Sequence, residues 1–159
     1  MILDQNLIVS GSVGGTALSP TVTGQTVTGA SAVLSTNTID LGNARDISEG
    51  NDLLKARATV VTAFTGLTAL TIEIVQADDA ALSTNVTVIG SSGAIPVASL
   101  TAGKLFEIEA NARIGSTGQR YLGLRYTPTG TGTAGAVFGD FGAEYQDGRK
   151  FYTSGFAVL

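Results

Sequence analysis

Two carboxylates side by side, Asp78-Asp79, end an apolar alternating run, and two more, Glu107 and Glu109, stand two residues apart in a second run. A pair at a strand end can hold Ca²⁺ with the help of backbone carbonyls. A pair on one strand face can divide acid and base work in a sugar hydrolase. The flanking residues favour neither. Ala80-Ala81-Leu82-Ser83 lacks the alternating oxygen ligands of a calcium loop, so Asp78-Asp79 reads as a solvated turn. Charges at i and i+2 are what the wet face of an antiparallel sheet carries, and with no Trp in the chain nothing obvious raises one pKa or stacks a sugar. Asp140, Glu144 and Asp147 read likewise as surface charges.

Gly11-Ser12-Val13-Gly14-Gly15-Thr16 has the look of a phosphate cradle, but the first Lys comes only at position 55, and the segment reads as a flexible linker. The chain has no His and no Cys. That removes the imidazole base, the thiolate and the usual transition-metal ligands, and leaves no partner to activate any of its serines. The expectation is a protein that is not an enzyme and has no catalytic, cofactor-binding or metal-binding residues. Nine basic against 13 acidic residues, a net charge of −4, oppose binding to a phosphate backbone. No apolar run is long enough to span a bilayer, and Met1–Leu7, with an acid at position 4 and no basic residues, is not a signal peptide. Neither nucleic acid nor membrane is therefore expected as a partner.

The elements that would carry these residues are strands. In Leu70-Thr71-Ile72-Glu73-Ile74-Val75-Gln76, Leu70, Ile72 and Ile74 fall on one face and Thr71 and Glu73 on the other, a period of two. Residues 56–64 alternate in the same way. Phe106 and Ile108 point inward from 105–109, and Leu122, Leu124 and Tyr126 share a face of 120–126. Further strands are expected at 38–41, 86–89 and 135–145. Ser91-Ser92-Gly93 reads as a turn, and residues 43–54 form the best helical candidate in a chain whose 21 Gly and abundant Thr disfavour helix. At 159 residues, against about 100–200 per domain, residues 1–159 form a single domain. Its expected fold is all-β, an antiparallel jelly roll or β-sandwich with extended arms.

Two segments stand apart. Residues 8–34 are a Gly/Thr-rich arm or insertion in which Thr21-Val22-Thr23-Gly24 recurs as Thr26-Val27-Thr28-Gly29, and no charged residue occurs between Asp4 and Asp40. The repeat suggests a pair of short strands or a flexible arm. Residues 146–159 are an aromatic C-terminal tail with Phe151, Tyr152 and Phe156, and eight of the ten aromatic residues lie beyond position 120. Tyr, Phe and Arg together are the composition of a protein interface.

A resemblance carries the reading further. Met1-Ile2-Leu3-Asp4-Gln5-Asn6-Leu7, then Ser35-Thr36-Asn37-Thr38-Ile39-Asp40-Leu41-Gly42 with Ala44-Arg45-Asp46-Ile47, resembles the capsid cement (decoration) proteins of tailed phages, of the Bordetella-phage type. Phe64, the run Leu70–Gln76 with Asp78-Asp79, Ser91-Ser92-Gly93-Ala94-Ile95-Pro96-Val97 and Arg120–Tyr126 follow in the family's block order. The similarity spans about residues 1–7 and 35–142, by block order; the stretch 8–34 and the aromatic tail depart from it. It implies a jelly-roll protein made in the host cytoplasm and carried on the outer capsid surface of the virion. There it would bridge neighbouring copies of the major capsid protein as a homodimer or homotrimer and stabilise the shell. The contact residues expected are Ile2, Leu3, Phe151, Tyr152 and Phe156. The competing expectation is a free-standing β-sandwich binding module, carbohydrate-binding or adhesin-like.

Overall fold

The computed structural model describes residues 5–16, 19–45, 54–111 and 118–142. Ten strands are found among them: β1 (Ile8–Ser10), β2 (Ser12–Thr16), β3 (Ser19–Thr23), β4 (Gln25–Thr26), β5 (Val33–Leu34), β6 (Ile39–Arg45), β7 (Lys55–Ala77), β8 (Thr87–Pro96), β9 (Leu105–Glu109) and β10 (Gln119–Gly142). Every pairing between them is antiparallel. The all-β expectation holds; among the described residues only short 3-10 turns at Gln5–Leu7 and Val97–Ser99 occur besides.

Two long strands form the spine. The 23 residues of β7 and the 24 of β10 pair along nearly their whole lengths, so the runs at 56–64 and 70–76 are one strand rather than two. Their register slips repeatedly between Thr129 and Val137, where Gly66, Gly130 and Gly135 take positive φ. Such bulges bend and twist a ribbon. On one side of the bend β5 and β6 extend the sheet beside the start of β10, and β8 lies beside the end of β7. On the other side β1 and β4 flank the end of β10, and β9 flanks the start of β7. The two halves face each other as a sandwich. A Cβ placed on Gly139 of one half would sit 2.6 Å from the Tyr126 hydroxyl and 2.9 Å from Leu124 Cδ1 of the other.

The core fills the space between. Leu70, Ile72, Ile74, Leu124 and Tyr126 are fully buried, with Leu122 and Ile108 nearly so, and Phe106 packs at the margin, as the alternation predicts. The ends of the Gly/Thr-rich stretch enter this core as well: Val9 and Val27 are buried in it. The two copies of the repeat therefore have different environments, since Val22 in the first is exposed and Val27 in the second is not.

Three expectations are corrected. Ser91-Ser92-Gly93 is not a turn but lies within β8, at a bulge where the Ser92 hydroxyl accepts the Ile72 N–H at 3.0 Å. Residues 43–45, the start of the helical candidate, are the end of β6, while 46–53 fall outside the described residues. Ser12–Thr16 is not a loose linker; it is strand β2, hydrogen-bonded to β3.

Candidate interaction surface

Among the described residues the acids other than Glu107, which is exposed on β9, are held by structural partners. The Asp79 carboxylate accepts the backbone N–H groups of Ser83 and Thr84 at 3.0 and 2.6 Å and the Ser83 hydroxyl at 2.8 Å, and Asn85 Nδ2 donates to Asp78. Those donors draw the Asp79 pKa down to about 2 and make the turn after β7. Glu109 is exposed and pairs with Lys55 across β9 and β7 at 3.1 Å. Arg125 bonds Glu73 at 2.8 Å, and Arg120 forks onto both oxygens of Asp40 at 2.7 Å while lying over the Tyr121 ring. The Arg120 guanidinium and the Gly42 N–H bring Asp40 down to about 2.

Asp140 is not a surface charge. It is 4% exposed, directly opposite Arg57 in the register of β10 and β7, and bonded to that guanidinium. Burial pushes its pKa up, and Arg57 opposes the shift. The only signal in the sequence was position: Arg57 lies between Ala56 and Ala58, so it faces away from the core, and no spacing rule says that this outer face is covered. Nearby, the buried Tyr126 hydroxyl donates to the Ser10 hydroxyl at 2.8 Å, tying the start of the chain to the far half of the sandwich.

Two surface features remain without such partners. The first is the hairpin β2–β3, a two-stranded sheet separate from the main one. Its base is fixed: Gly11 turns the chain out of β1 with φ +81°, in a space where a Cβ would lie 2.3 Å from the Thr23 carbonyl, and Gly24 is wedged between Val61 and Ala136. Beyond that base Ser12, Gly14, Gly15, Thr16, Ser19 and Thr21–Thr23 are exposed. The second is an apolar groove of about 160 Å³, lined by Leu7, Ile39, Leu41, Leu54, Leu122, Phe141 and Gly142. Phe141 and Leu122 are buried at its floor, and Leu7, Ile39, Leu41 and Leu54 are half-buried around it. It brings together residues from the start, middle and end of the chain, which no local pattern reveals.

The sequence-derived contact residues Ile2, Leu3, Phe151, Tyr152 and Phe156 all lie outside the described residues, as do Glu144 and Asp147. In the chain, Leu3 comes four residues before Leu7 of the groove, and Phe151 nine residues after Gly142.

The family model Bbp16 matches residues 21–140, most of the chain. The match takes in residues 21–34, which the resemblance by blocks left out, and it begins inside the hairpin, after β2. No curated protein matches the chain.

Proposed function

This chain belongs to the Bbp16 family, whose name points to a phage of Bordetella, and from that premise we propose that it is a structural virion protein that cements an icosahedral phage capsid. In this reading it binds the outer face of the shell, bridges neighbouring major capsid subunits and self-associates as a homodimer or homotrimer. It performs no catalysis and engages neither nucleic acid nor membrane. The family match over residues 21–140 is the observation that carries the proposal.

Physical features support it. A sandwich whose two halves share continuous strands loses little conformational freedom on docking, so more of the contact energy is retained as affinity. A ligand that binds the assembled lattice and not dissociated subunits stabilises assembly by RT ln(1 + [L]/Kd). An oligomer touching several subunits converts weak contacts into slow release through effective concentration. The net charge of −4 suits a surface facing away from packaged nucleic acid. In this reading the contact residues are Ile2, Leu3, Phe151, Tyr152 and Phe156, and the apolar groove offers a further surface for docking.

The test is co-sedimentation of purified protein with expanded, genome-free capsids of the parent phage stripped of this component. Saturable binding at a fixed ratio to the major capsid protein is the expected result. Folded protein that fails to bind such shells overturns the cement reading and promotes the free-standing binding module.

A further inference from the structure

The apolar groove is the open end of the core. Leu122, Ile39 and Leu41 reach it from one half of the sandwich, and Leu54, Phe141 and Gly142 from the other. Gly142 makes the last rung of β10 with β7, at the end of the ribbon away from the bulged bend. Every side chain in the lining is hydrocarbon, so the groove offers no side-chain hydrogen bond to an occupant. Its volume of about 160 Å³ is the size of one ring. An apolar cavity of about 150 Å³ lined by such residues stays dry and takes up benzene.

Four stretches outside the described residues adjoin this end. Residues 1–4 precede the 3-10 turn that ends at Leu7, 46–53 lead into Leu54, and 143–159 follow Gly142. Residues 112–117 begin just after Ala110, whose N–H bonds the Leu54 carbonyl at 3.0 Å. Their composition separates them. Residues 1–4, 46–53 and 112–117 contain no aromatic residue, and 46–53 carry three acids, Asp46, Glu49 and Asp52. Residues 143–159 contain four rings: Tyr145, Phe151, Tyr152 and Phe156.

The groove discriminates among those four. A tyrosine would bring a hydroxyl into a lining that cannot bond it, which costs free energy. Phe151 stands between Arg149-Lys150 and Tyr152, whose charged and polar ends must stay in water. Phe156 stands between Gly155 and Ala157, small neighbours that let the backbone lie close to the rim. We propose that the ring of Phe156 seats in the groove of its own chain, against Phe141, Leu41 and Leu54, and closes the open end of the core. Fourteen residues separate Phe156 from Gly142, a reach of about 46–50 Å when extended and ample for doubling back. A short flexible connection holds a tethered group at an effective concentration of about millimolar, which favours the chain's own tail over that of a second copy in dilute solution.

This inference does not rest on the cement reading; within that reading it leaves Phe151 and Tyr152 as the outward contacts of the tail. It is tested without capsids, by NMR on the full chain uniformly labelled with ¹³C and ¹⁵N and on an equal mixture of labelled and unlabelled chains. Nuclear Overhauser contacts are expected from the Phe156 ring to the methyl groups of Leu41 and Leu54 in the labelled chain. None is expected between labelled and unlabelled chains in the mixture. Phe156→Ala is expected to shift those methyl resonances and Phe151→Ala to leave them in place, with far-UV circular dichroism as the fold check on both. Absence of contacts from the Phe156 ring, contacts from Phe151 or from residues 1–4 or 46–53 in its place, or contacts only between different chains overturns the proposal. So do Leu41 and Leu54 methyl resonances that Phe156→Ala leaves unmoved. A seated Phe156 in a protein that fails to co-sediment with shells overturns the cement reading alone.

Discussion

Replacing Arg57 with Met tests the buried charge pair that joins β7 to β10. The Arg57 side chain is 13% exposed and that of Asp140 6%, and in the register the two residues are directly opposed. Arg57 supplies both of the influences that lower the Asp140 pKa, while burial raises it. Without the guanidinium the carboxyl keeps only the desolvation cost. Breaking a buried pair by removing one partner costs about 3–5 kcal/mol, out of about 5–15 kcal/mol for a whole domain. At about 2–4 °C per kcal/mol for a chain of this size, the thermal midpoint falls by about 6–20 °C near pH 7. The pH dependence has a definite sign. A carboxyl whose folded pKa is raised binds its proton more readily in the folded state, so its contribution to stability declines as pH rises from the ordinary value of 3.8 through the raised one. The deficit of Arg57→Met is therefore largest at pH 7.5 and shrinks as pH falls and Asp140 becomes neutral. Adding Asp140→Leu to Arg57→Met recovers at least about 1 kcal/mol, since an apolar pair replaces an orphaned charge. Urea unfolding of the three chains at pH 7.5 and 4.5 measures all of this. A deficit below about 1 kcal/mol, or one equal at both pH values, refutes the argument that the pair is desolvated.

Other outcomes follow from the same structure. Tyr126→Phe and Ser10→Ala each leave one buried hydroxyl without its partner and cost about 1–3 kcal/mol, and the double variant costs less than the sum, as a double-mutant cycle in urea measures. Gly90→Ala sets a methyl 2.4 Å from the Glu109 carbonyl oxygen, a backbone atom, and lowers stability by about 1–3 kcal/mol; an unchanged urea midpoint would remove that steric reading. Asp40 and Asp79 both have folded pKa values lowered to about 2, so their contributions are complete above about pH 4 and are lost as pH falls through 2. Carboxyl chemical shifts followed by NMR between pH 5 and 1.5 check this, with Asp140 titrating above the ordinary aspartate value in the same spectra.

The fold was legible wherever burial follows a period of two. Leu70, Ile72 and Ile74, then Leu122, Leu124 and Tyr126, declared their inward faces because each alternates with polar or small residues across a half-buried sheet. The pattern gave no way to see that 56–64 and 70–76 form one strand, because Thr65-Gly66 reads as punctuation when it is in fact a bulge inside a continuous ladder. Ser91-Ser92-Gly93 misled for the same reason: turn chemistry and bulge chemistry draw on the same residues. Asp140 misled because its burial depends on Arg57, 83 positions away. The β-branched repeat marked only Thr21–Thr23 of the hairpin, whose other strand, Ser12–Thr16, read as a linker, and the groove, assembled from Leu7, Leu41, Leu54 and Phe141, had no local signature.

The position of β10 in the sheet fixes an order of events during synthesis. It is the central strand and the last of the described elements to be made, and β1, β4, β5, β6 and β7 all pair with it. Those five strands leave the ribosome with this ladder partner still unmade, and Ile8 waits for Asp140, 132 residues later in the chain. Closing loops of that length must precede the contacts that reward it, which makes such topologies slow to form and exposes apolar strand edges in the interval. A nascent chain stalled before Gln119 therefore has no closed sandwich, and the protein is expected to fold after translation has passed Gly142 rather than strand by strand as it emerges.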